Sequence, residues 1–447
     1  MAITESLVWS ASALVVAAIV LPYFVAFRRR GRGDRARKLE AVQLGIDQPK
    51  AQFPFVDPAR CIGCGACAAA CPEGDVLGVV GGTATVVNGL RCVGHGRCAE
   101  ACPVGAIEVG LGDLKSRADV PRTDEAQETD VPGLFIVGEL GGLALVRNAV
   151  GQARRAVDRI AARIRQQPRT AGDVFDVLVV GAGPAGLAAA ASARERGLSH
   201  AVLEQERDLG GTIFHYPRRK LVLVQPLEIP LWGRTSKEEY SKEELLGILQ
   251  ELVQRNQLNV RFGQKAVAVE REGGVFAVRS EAAQVFLGRT LVLALGRRGS
   301  PRKLDVPGEQ LPKVTYQLLD AESYRGQRLL VVGGGDSAVE AAIGLARQPG
   351  NQVTLSYRRE KLVRIKKKNE DRLAELLARR QLRTLLGSQV TEILPDRVRL
   401  QVGQRQVELP NDYVFVFAGG EPPFDFLRRM GVRFGGPPAA GPATRAF

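Results

Sequence analysis

The sequence predicts an α/β protein that combines two Rossmann-like dinucleotide-binding domains, a small α+β domain rich in cysteine and an N-terminal transmembrane helix. Two glycine loops, each between an apolar strand pattern and an alanine-rich helix pattern, indicate the Rossmann-like domains. All seven cysteines fall between Cys61 and Cys102, which indicates a separate small domain. Residues 7–27 carry no charge. A chain of 447 residues is long enough for roughly two to four domains.

The apolar run at residues 7–27 predicts the transmembrane helix because, at about 1.5 Å per residue, it can cross a hydrocarbon core of roughly 30 Å. Seven arginine or lysine residues follow within residues 28–38. The positive-inside rule then predicts a single-pass protein of the plasma membrane, in contact with the lipid bilayer, with its other domains on the cytoplasmic side. Glu5 stands where a secretory signal would carry positive charge. The alternative is a buried core helix.

The first cysteine motif reads Cys61-Ile-Gly-Cys64-Gly-Ala-Cys67-Ala-Ala-Ala-Cys71-Pro72. This is the C-x2-C-x2-C-x3-C-P run of bacterial two-cluster ferredoxins, in which three thiolates hold one cluster and the fourth points to the other. A structural zinc site, the alternative, uses two C-x-x-C pairs and does not need the trailing proline. The motif therefore predicts an α+β ferredoxin domain whose fold is stabilised by bound metal.

The second motif keeps the spacing but has a histidine in place of its second cysteine, and it reads CVGHGRCAEACP over residues 92–103. The resemblance implies that one [4Fe–4S] cluster is held by Cys61, Cys64, Cys67 and Cys102. It implies that the other cluster is held by Cys71, Cys92 and Cys98, with His95 as the candidate fourth ligand. Three alternatives stay open: His95 ligates a [4Fe–4S] cluster and raises its potential, the cluster is [3Fe–4S], or His95 only hydrogen-bonds a sulfide.

The first glycine loop lies in the segment DVLVVGAGPAG, residues 176–186. Gly181 allows the tight turn, Gly183 lets a pyrophosphate approach, and Gly186 lets helix and strand pack closely. Pro184 and Ala185 complete the loop, and the helix N-terminus then faces the phosphates. Glu204 ends the next strand, where its carboxylate can accept from a ribose hydroxyl and disfavours a 2′-phosphate. The site therefore predicts FAD.

The second glycine loop, LLVVGGGDSAVEAA, predicts the site of a pyridine nucleotide. Its candidate contacts are Gly333, Gly335, Asp336, Ser337 and Ala338. The following strand has no acid at its end and is instead followed by Arg358, Arg359 and Arg364. Guanidinium groups match a 2′-phosphate through bidentate contacts, which favours NADPH over NADH. The alternative is a solvated basic face shared with residues 366–368.

Most of residues 172–435 resemble the thioredoxin-reductase-like flavoproteins, which include the bacillithiol disulfide reductases. The segments that carry the resemblance are both glycine loops, Gly210-Gly211-Thr212, LVLALGRRGSPRKLDVPGE around Gly296, the YRR…R series and DYVFVFAGGEPPFDFLRRMGV. The family fold implies an FAD domain with an NAD(P) domain inserted into it. Gly211, Thr212 and Gly296 are therefore added to the candidate cofactor contacts.

One family segment stands in an unusual place. ETDVPGLFIVGELGGLALVRNAV, similar to the segment that closes these flavoproteins, occupies residues 128–150, ahead of the first glycine loop. The resemblance therefore implies a circular permutation in which residues 430–434 lie beside the chain near residue 118. It further implies that Gly138 and Glu139 lie near the FAD ribityl and phosphates, and that Arg147 and Asn148 lie near the flavin ring.

The predicted domain boundaries follow from these motifs. They are 1–30 for the anchor, 31–52 for a linker, 53–112 for the ferredoxin domain, 113–170 for the permuted segment of the FAD domain, 171–300 for the FAD domain, 301–408 for the NAD(P) domain, 409–436 for the return to the FAD domain and 437–447 for a disordered tail.

The predicted function is electron transfer from NADPH through FAD and the clusters to a protein acceptor, or the reverse. Residues 103–447 contain no cysteine, which excludes thiol chemistry beside the flavin. The alternatives are a redox sensor without turnover and a reductase of a small disulfide or quinone. The formal charge of +14 suits an acidic or membrane-bound partner protein, and no basic stretch carries the stacking aromatics that nucleic acid favours. A second copy of the chain is a further candidate partner.

Overall fold

The structure, a computed structural model, describes residues 2–47, 52–111, 120–141, 145–166, 173–218, 220–224, 226–297 and 299–435. The predicted tail at 437–447 lies outside these residues. The chain divides into two compact units, one formed by residues 1–112 with 366–368 and the other by the remaining residues.

The first unit combines a long helix with a small α+β domain. Its elements are α1 (Ala2–Gln43), β1 (Gln52–Val56), α2 (Ala66–Ala70), β2 (Leu77–Val80), β3 (Thr83–Val86), α3 (Arg97–Glu100) and β4 (Ile107–Leu111). β1 pairs antiparallel with β4, and β2 and β3 form an antiparallel hairpin. Two cysteine side chains, Cys67 and Cys98, are buried in the small core with Val76, Leu77 and Ile107. The core is therefore built around the cysteine motifs.

The predicted transmembrane helix is wrong. Among the residues that the structure describes, no helix is both long and apolar enough to span a bilayer. Residues 7–27 are the first part of α1, which continues through the arginine-rich segment to Gln43. The uncharged run is therefore not a separate helix, because the same helix also contains the charged residues of 28–38. The plasma-membrane location and the lipid contact that were inferred from this helix are withdrawn with it.

The second unit begins with a sheet of seven strands. Its elements are β5 (Leu134–Ile136), α4 (Val146–Ile164), β6 (Val174–Val180), α5 (Pro184–Glu195), β7 (His200–Leu203), β8 (Leu221–Leu223), β9 (Glu228–Ile229), β10 (Gly233–Arg234), β11 (Glu239–Ser241), α6 (Lys242–Arg255), β12 (Val260–Arg261), β13 (Ala266–Glu272), β14 (Val275–Ser280) and β15 (Val285–Leu293). The strand order is β12-β7-β6-β15-β14-β13, with β5 also paired to β15. The strands β12, β7, β6, β15 and β5 run parallel. Their carboxyl ends meet at one edge, where α/β proteins bind ligands.

A second parallel sheet follows in the same unit. Its elements and their neighbours are β16 (Ser300–Pro301), β17 (Val314–Thr315), β18 (Arg328–Val332), α7 (Asp336–Ala346), β19 (Gln352–Tyr357), α8 (Lys367–Ala378), β20 (Leu382–Leu386), β21 (Ser388–Ile393), β22 (Arg397–Val402), β23 (Arg405–Pro410), β24 (Tyr413–Val416), β25 (Gly420–Glu421) and α9 (Phe424–Arg429). The order β17-β24-β18-β19-β20 is parallel throughout. The chain enters this part at β16 and leaves it at β25, and these two short strands pair with each other. Because β24 belongs to the second sheet, that sheet extends beyond residue 408.

Candidate functional site

The first glycine loop connects β6 to α5 and leaves no room for side chains at two positions. A Cβ at Gly181, whose φ is +106°, would lie 2.5 Å from the carbonyl oxygen of Ala294. A Cβ at Gly186 would lie 1.9 Å from the carbonyl oxygen of Gly181. At Gly183 the nearest atom would be 4.0 Å away, so the loop is open there. Close packing at two glycines and open space at the third is the arrangement that a pyrophosphate requires.

Glu204 supports this loop from the end of β7. Its side chain is 4% exposed, its Oε2 accepts a hydrogen bond of 2.6 Å from the backbone N–H of Ala182, and its Oε1 accepts one of 3.0 Å from that of Glu206. Burial raises the pKa of Glu204, although the two backbone donors oppose this rise. The carboxylate lies against the glycine loop, where it can also meet a ribose hydroxyl.

The segment at residues 134–139 lies against the first glycine loop although it precedes that loop in the chain. β5 pairs with β15 inside the first sheet, and Gly138 follows β5 with a φ of +82°. A Cβ at Gly138 would lie 3.0 Å from the Cβ of Ala185. The backbone N–H of Gly138 donates a 2.7 Å hydrogen bond to Oε1 of Gln152, whose side chain is 2% exposed. Sequence reasoning missed Gln152, although it lies one turn after Asn148 on α4.

The two ends of the flavoprotein part meet as the permuted order requires. Pro121 forms an isolated antiparallel bridge with Phe434. The backbone N–H of Arg122 donates to the carbonyl of Arg433 at 2.8 Å, and that of Gly435 donates to the carbonyl of Val120 at 3.2 Å. Residues 435 and 120 are therefore neighbours in space, although they are far apart in this sequence. An unpermuted relative would be continuous at this point.

The other predicted flavin contacts surround the same loop. A Cβ at Gly211 would lie 3.3 Å from the Cα of Gly183, and a Cβ at Gly296 would lie 3.8 Å from Oγ1 of Thr212. Glu139 is exposed to solvent, yet the protein around it raises the pKa of its carboxyl group, with Arg297 opposing the rise. The remaining two candidates lie in the first turn of α4, and they are the exposed Arg147 and the half-buried Asn148.

The second glycine loop connects β18 to α7. Like the first loop, it is closely packed at one glycine and open at another. A Cβ at Gly333 would lie 2.6 Å from the carbonyl oxygen of Phe417 and 2.9 Å from the Cβ of Ala338. At Gly335 no atom lies within 4 Å. Asp336 begins α7, followed by Ser337, and Oδ1 of Asp336 accepts a 2.7 Å hydrogen bond from the side-chain amide of Asn369. The space at Gly335 is where a second pyrophosphate fits.

Arginines follow the strand next to this loop. β19 ends at Tyr357, and Arg358, Arg359 and Arg364 are all exposed beyond it. The ring of Tyr357 lies directly on Gly334, because a Cβ there would be 2.1 to 2.3 Å from three ring carbons. Sequence reasoning missed this contact. Because Gly334 has no side chain, the Tyr357 ring can pack against it. This contact sets the position at which the turn that carries the arginines begins.

The Gly334→Ala variant is expected to raise the KM for NADPH roughly tenfold, the equivalent of one displaced charge-assisted contact. The added methyl group must push the Tyr357 ring away and move Arg358 with it. Steady-state rates with NADPH and NADH measure the effect, and discrimination between the two should fall. Tyr357→Phe keeps the ring and is the control. An unchanged KM for NADPH in Gly334→Ala, or the same rise for NADH, would contradict the prediction that the arginines after β19 bind the 2′-phosphate of NADPH.

The first cysteine motif lines a cavity that is partly open to solvent. Its lining includes all four thiols that the ferredoxin resemblance implies for one cluster, namely Cys61, Cys64, Cys67 and Cys102. The backbone N–H groups of Ala84 and Ala106 donate to the sulfurs of Cys61 and Cys102 at 3.3 and 3.2 Å. In the described part of the chain, no three His, Cys, Asp or Glu side chains converge on a single-ion site. A cavity with thiols around its wall and N–H donors to sulfur fits a cluster.

The thiols of this domain differ in how readily they lose a proton. Burial raises the pKa of Cys67 and of Cys92 to about 11, and burial also raises the pKa of Cys71 and Cys98. Burial also acts on Cys102, but backbone N–H groups at residues 104–107 outweigh it and lower the pKa of that thiol. Cluster binding must therefore release protons, because only thiolates are ligands.

His95 lies in a loop with the same backbone conformation as the loop of Cys64. Gly63 and Gly65 flank Cys64 with φ of +66° and +78°, and Gly94 and Gly96 flank His95 with φ of +76° and +88°. A short helix begins directly after each loop, at Ala66 and at Arg97. The Nε2 atom of His95 is buried. The backbone therefore places His95 in its loop at the position that Cys64 holds in the first loop.

Two glycine loops on parallel sheets and a thiol-lined cavity define an oxidoreductase that joins a two-nucleotide flavoprotein to a ferredoxin domain. Residues 178–436 match the family described as pyridine nucleotide-disulphide oxidoreductase, and residues 53–103 match the 4Fe-4S dicluster domain. The chain therefore belongs to the pyridine nucleotide-disulphide oxidoreductase family and carries a 4Fe-4S dicluster ferredoxin domain. It is an FAD-dependent NAD(P)H oxidoreductase, and the predicted family and enzyme class are confirmed.

Relatives cover the flavoprotein part. The ferredoxin--NADP reductase of Ignicoccus hospitalis is 30% identical over 268 residues, which are 58% of this chain and 82% of that protein. The ferredoxin--NADP reductase of Thermus thermophilus is 29% identical over 266 residues, which are 56% of this chain and 74% of that protein. The bacillithiol disulfide reductase of Bacillus cereus is similar in structure, with a TM-score of 0.53, 26% identity and coverage of 57% of this chain and 81% of that one.

Proposed function

We propose that this protein transfers electrons from NADPH through FAD to two iron–sulfur clusters and on to a one-electron protein acceptor. The observation that carries the proposal is the cavity lined by Cys61, Cys64, Cys67 and Cys102 in a chain that also holds two nucleotide loops. Bound FAD accepts two electrons as hydride and releases them singly, and clusters carry single electrons. The reverse direction uses the same groups.

The residues of the flavoprotein part bind and orient rather than exchange protons. The open positions at Gly183 and Gly335 receive the two pyrophosphates, and Glu204 accepts from a ribose hydroxyl while it supports its loop. Hydride transfer needs no acid or base from the protein, only orientation. The exposed arginines that begin at Arg358 favour NADPH, because guanidinium groups bind a 2′-phosphate. The similarity to a ferredoxin--NADP reductase supports both the nucleotide and the acceptor class.

The test is an anaerobic titration of the full chain, reconstituted with FAD, iron and sulfide, with NADPH. Flavin absorbance and low-temperature EPR report the two kinds of centre separately. We expect the flavin to bleach first and an EPR signal of reduced clusters to follow. Flavin that bleaches while the clusters never change oxidation state would contradict the proposal, and it would leave the flavoprotein acting on a small acceptor.

His95 is proposed as the fourth ligand of the second cluster because its loop repeats the conformation of the Cys64 loop. The His95→Cys variant should lower the potential of that cluster by on the order of 100 mV or more, since a thiolate adds negative charge. The His95→Ala variant should show a [3Fe–4S] EPR signal as isolated. Gly94→Ala is not a suitable control because of its positive φ, so Val93→Ala, one position earlier, serves instead. A wild-type protein that already shows the [3Fe–4S] signal would exclude His95 as a ligand in that form.

A further inference from the structure

The arginine-rich half of α1 lies on the ferredoxin domain. Asp34, which is 9% exposed, accepts a 2.7 Å hydrogen bond from the backbone N–H of Val79 in β2. A Cβ at Gly78 would lie 2.9 Å from Cγ of Asp34, so glycine at this position permits the close approach. Arg37 forms ion pairs with both Asp34 and Asp75. One face of this half of the helix is therefore fixed to the domain through buried or bridged acids.

Val79 lies between this helix and the wall of the thiol-lined cavity. A Cβ at Gly31 would lie 3.8 Å from the carbonyl oxygen of Val79. A Cβ at Gly65, which lines the cavity between Cys64 and Cys67, would lie 3.7 Å from Cγ2 of Val79. The backbone of Val79 therefore contacts the helix, and its side chain reaches the cluster-binding loop. A protein docked on the outside of this helix would lie close to the cluster site.

The opposite face of the helix is basic. Arg28, Arg32 and Arg35 follow the spacing i, i+4, i+7, and Arg29 lies beside them, so a period of 3.6 residues places all four away from Asp34. All four side chains are exposed, and none of them forms an ion pair with any residue that the structure describes. Leu39, which is 61% exposed, lies on the same face. We call these five residues the basic face.

We propose that the basic face is the docking surface for a small acidic protein that carries a one-electron centre. That the partner carries a one-electron centre rests on the proposed function. The location of the docking surface is argued separately, from charge and position. Four exposed guanidinium groups attract an acidic partner and speed its encounter at low salt, and that of Arg28 also stacks on the Phe24 ring at 4.6 Å. An exposed leucine among them supplies an apolar contact. Asp34, the acid within residues 28–38, is used on the inner face, which leaves the arginines of the outer face cationic.

The test is the affinity of the full, reconstituted chain for an acidic [2Fe–2S] ferredoxin, measured by titration calorimetry. We expect the Kd to rise roughly tenfold in the Arg32→Glu/Arg35→Glu variant and to rise steeply with salt in the wild type only. Arg32→Gln/Arg35→Gln, which keeps helix propensity, should show a smaller rise. The control is Arg325→Glu/Arg405→Glu, which makes the same charge change at two exposed arginines of the second unit.

Two measurements separate failure of this surface from failure of the electron relay. Binding is measured without NADPH, so it reports the surface even if the clusters are never reduced by nucleotide. Cluster absorbance and visible circular dichroism show that each variant holds its clusters. An equal rise of Kd in the control pair, or wild-type affinity in both variants at Arg32 and Arg35, would overturn the docking surface. So would binding of the basic protein cytochrome c as tightly as the acidic ferredoxin.

Discussion

The Gly186→Ala variant will not retain FAD, and its free energy of unfolding will fall by about 3 kcal/mol or more. The new methyl group would lie 1.9 Å from the carbonyl oxygen of Gly181, which is backbone and cannot move aside as a side chain can. Helix α5 must therefore shift away from β6, at the point where the nucleotide loop is formed. Urea unfolding measures the stability, and flavin absorbance after gel filtration measures retention.

Two other glycines separate the effect of packing from that of the cofactor. Gly183→Ala adds a methyl group with no atom nearer than 4.0 Å, so the fold should keep its stability while FAD affinity falls. Gly247→Ala places the same group on the exposed side of α6, where nothing lies within 4 Å, and should raise stability by about 0.5 to 1 kcal/mol. Retention of FAD by Gly183→Ala at wild-type affinity would contradict the assignment of the pyrophosphate to this loop.

The sequence was most informative where one residue type is required by geometry. The motif alone could assign three glycines, namely Gly181, Gly186 and Gly333. A side chain at any of these positions would collide with backbone atoms, so only glycine fits. The chain near residue 120 lies beside Phe434, as the displaced family segment implied. These features depend on local spacing or on a recognisable segment, and both can be read from one sequence.

Contacts between distant segments could not be predicted in this way. The hydrogen bond from Gly138 to Gln152 and the packing of Tyr357 on Gly334 need the packed structure, because nothing in the spacing marks them. The attachment of α1 through Asp34 was missed because the basic run was interpreted as the flank of a membrane helix.

The Cys61→Ser variant is expected to reduce cytochrome c, a one-electron acceptor, at least tenfold more slowly with NADPH as donor, while NADPH still bleaches the flavin at the wild-type rate. A serine hydroxyl is a poorer iron ligand than a thiolate, so the cluster in this cavity should be lost. The Sγ of Cys61 also accepts a hydrogen bond from the backbone N–H of Ala84, which ties the thiol to β3. Stopped-flow absorbance measures the two rates on the same sample.

The expected split between the two rates follows because the thiols and the nucleotide loops belong to different units. Cys61 lines the cavity with three other thiols, whereas both nucleotide loops belong to the second unit, so flavin reduction should not depend on it. Ala69→Ser is the matched control, because it adds a hydroxyl to the exposed side of α2 and leaves every thiol in place. Iron analysis should find roughly half the wild-type content in Cys61→Ser, as expected when one of two clusters is lost. If cytochrome c reduction survived that loss unchanged, electrons would leave the protein at the flavin, and the clusters would have a role other than transfer.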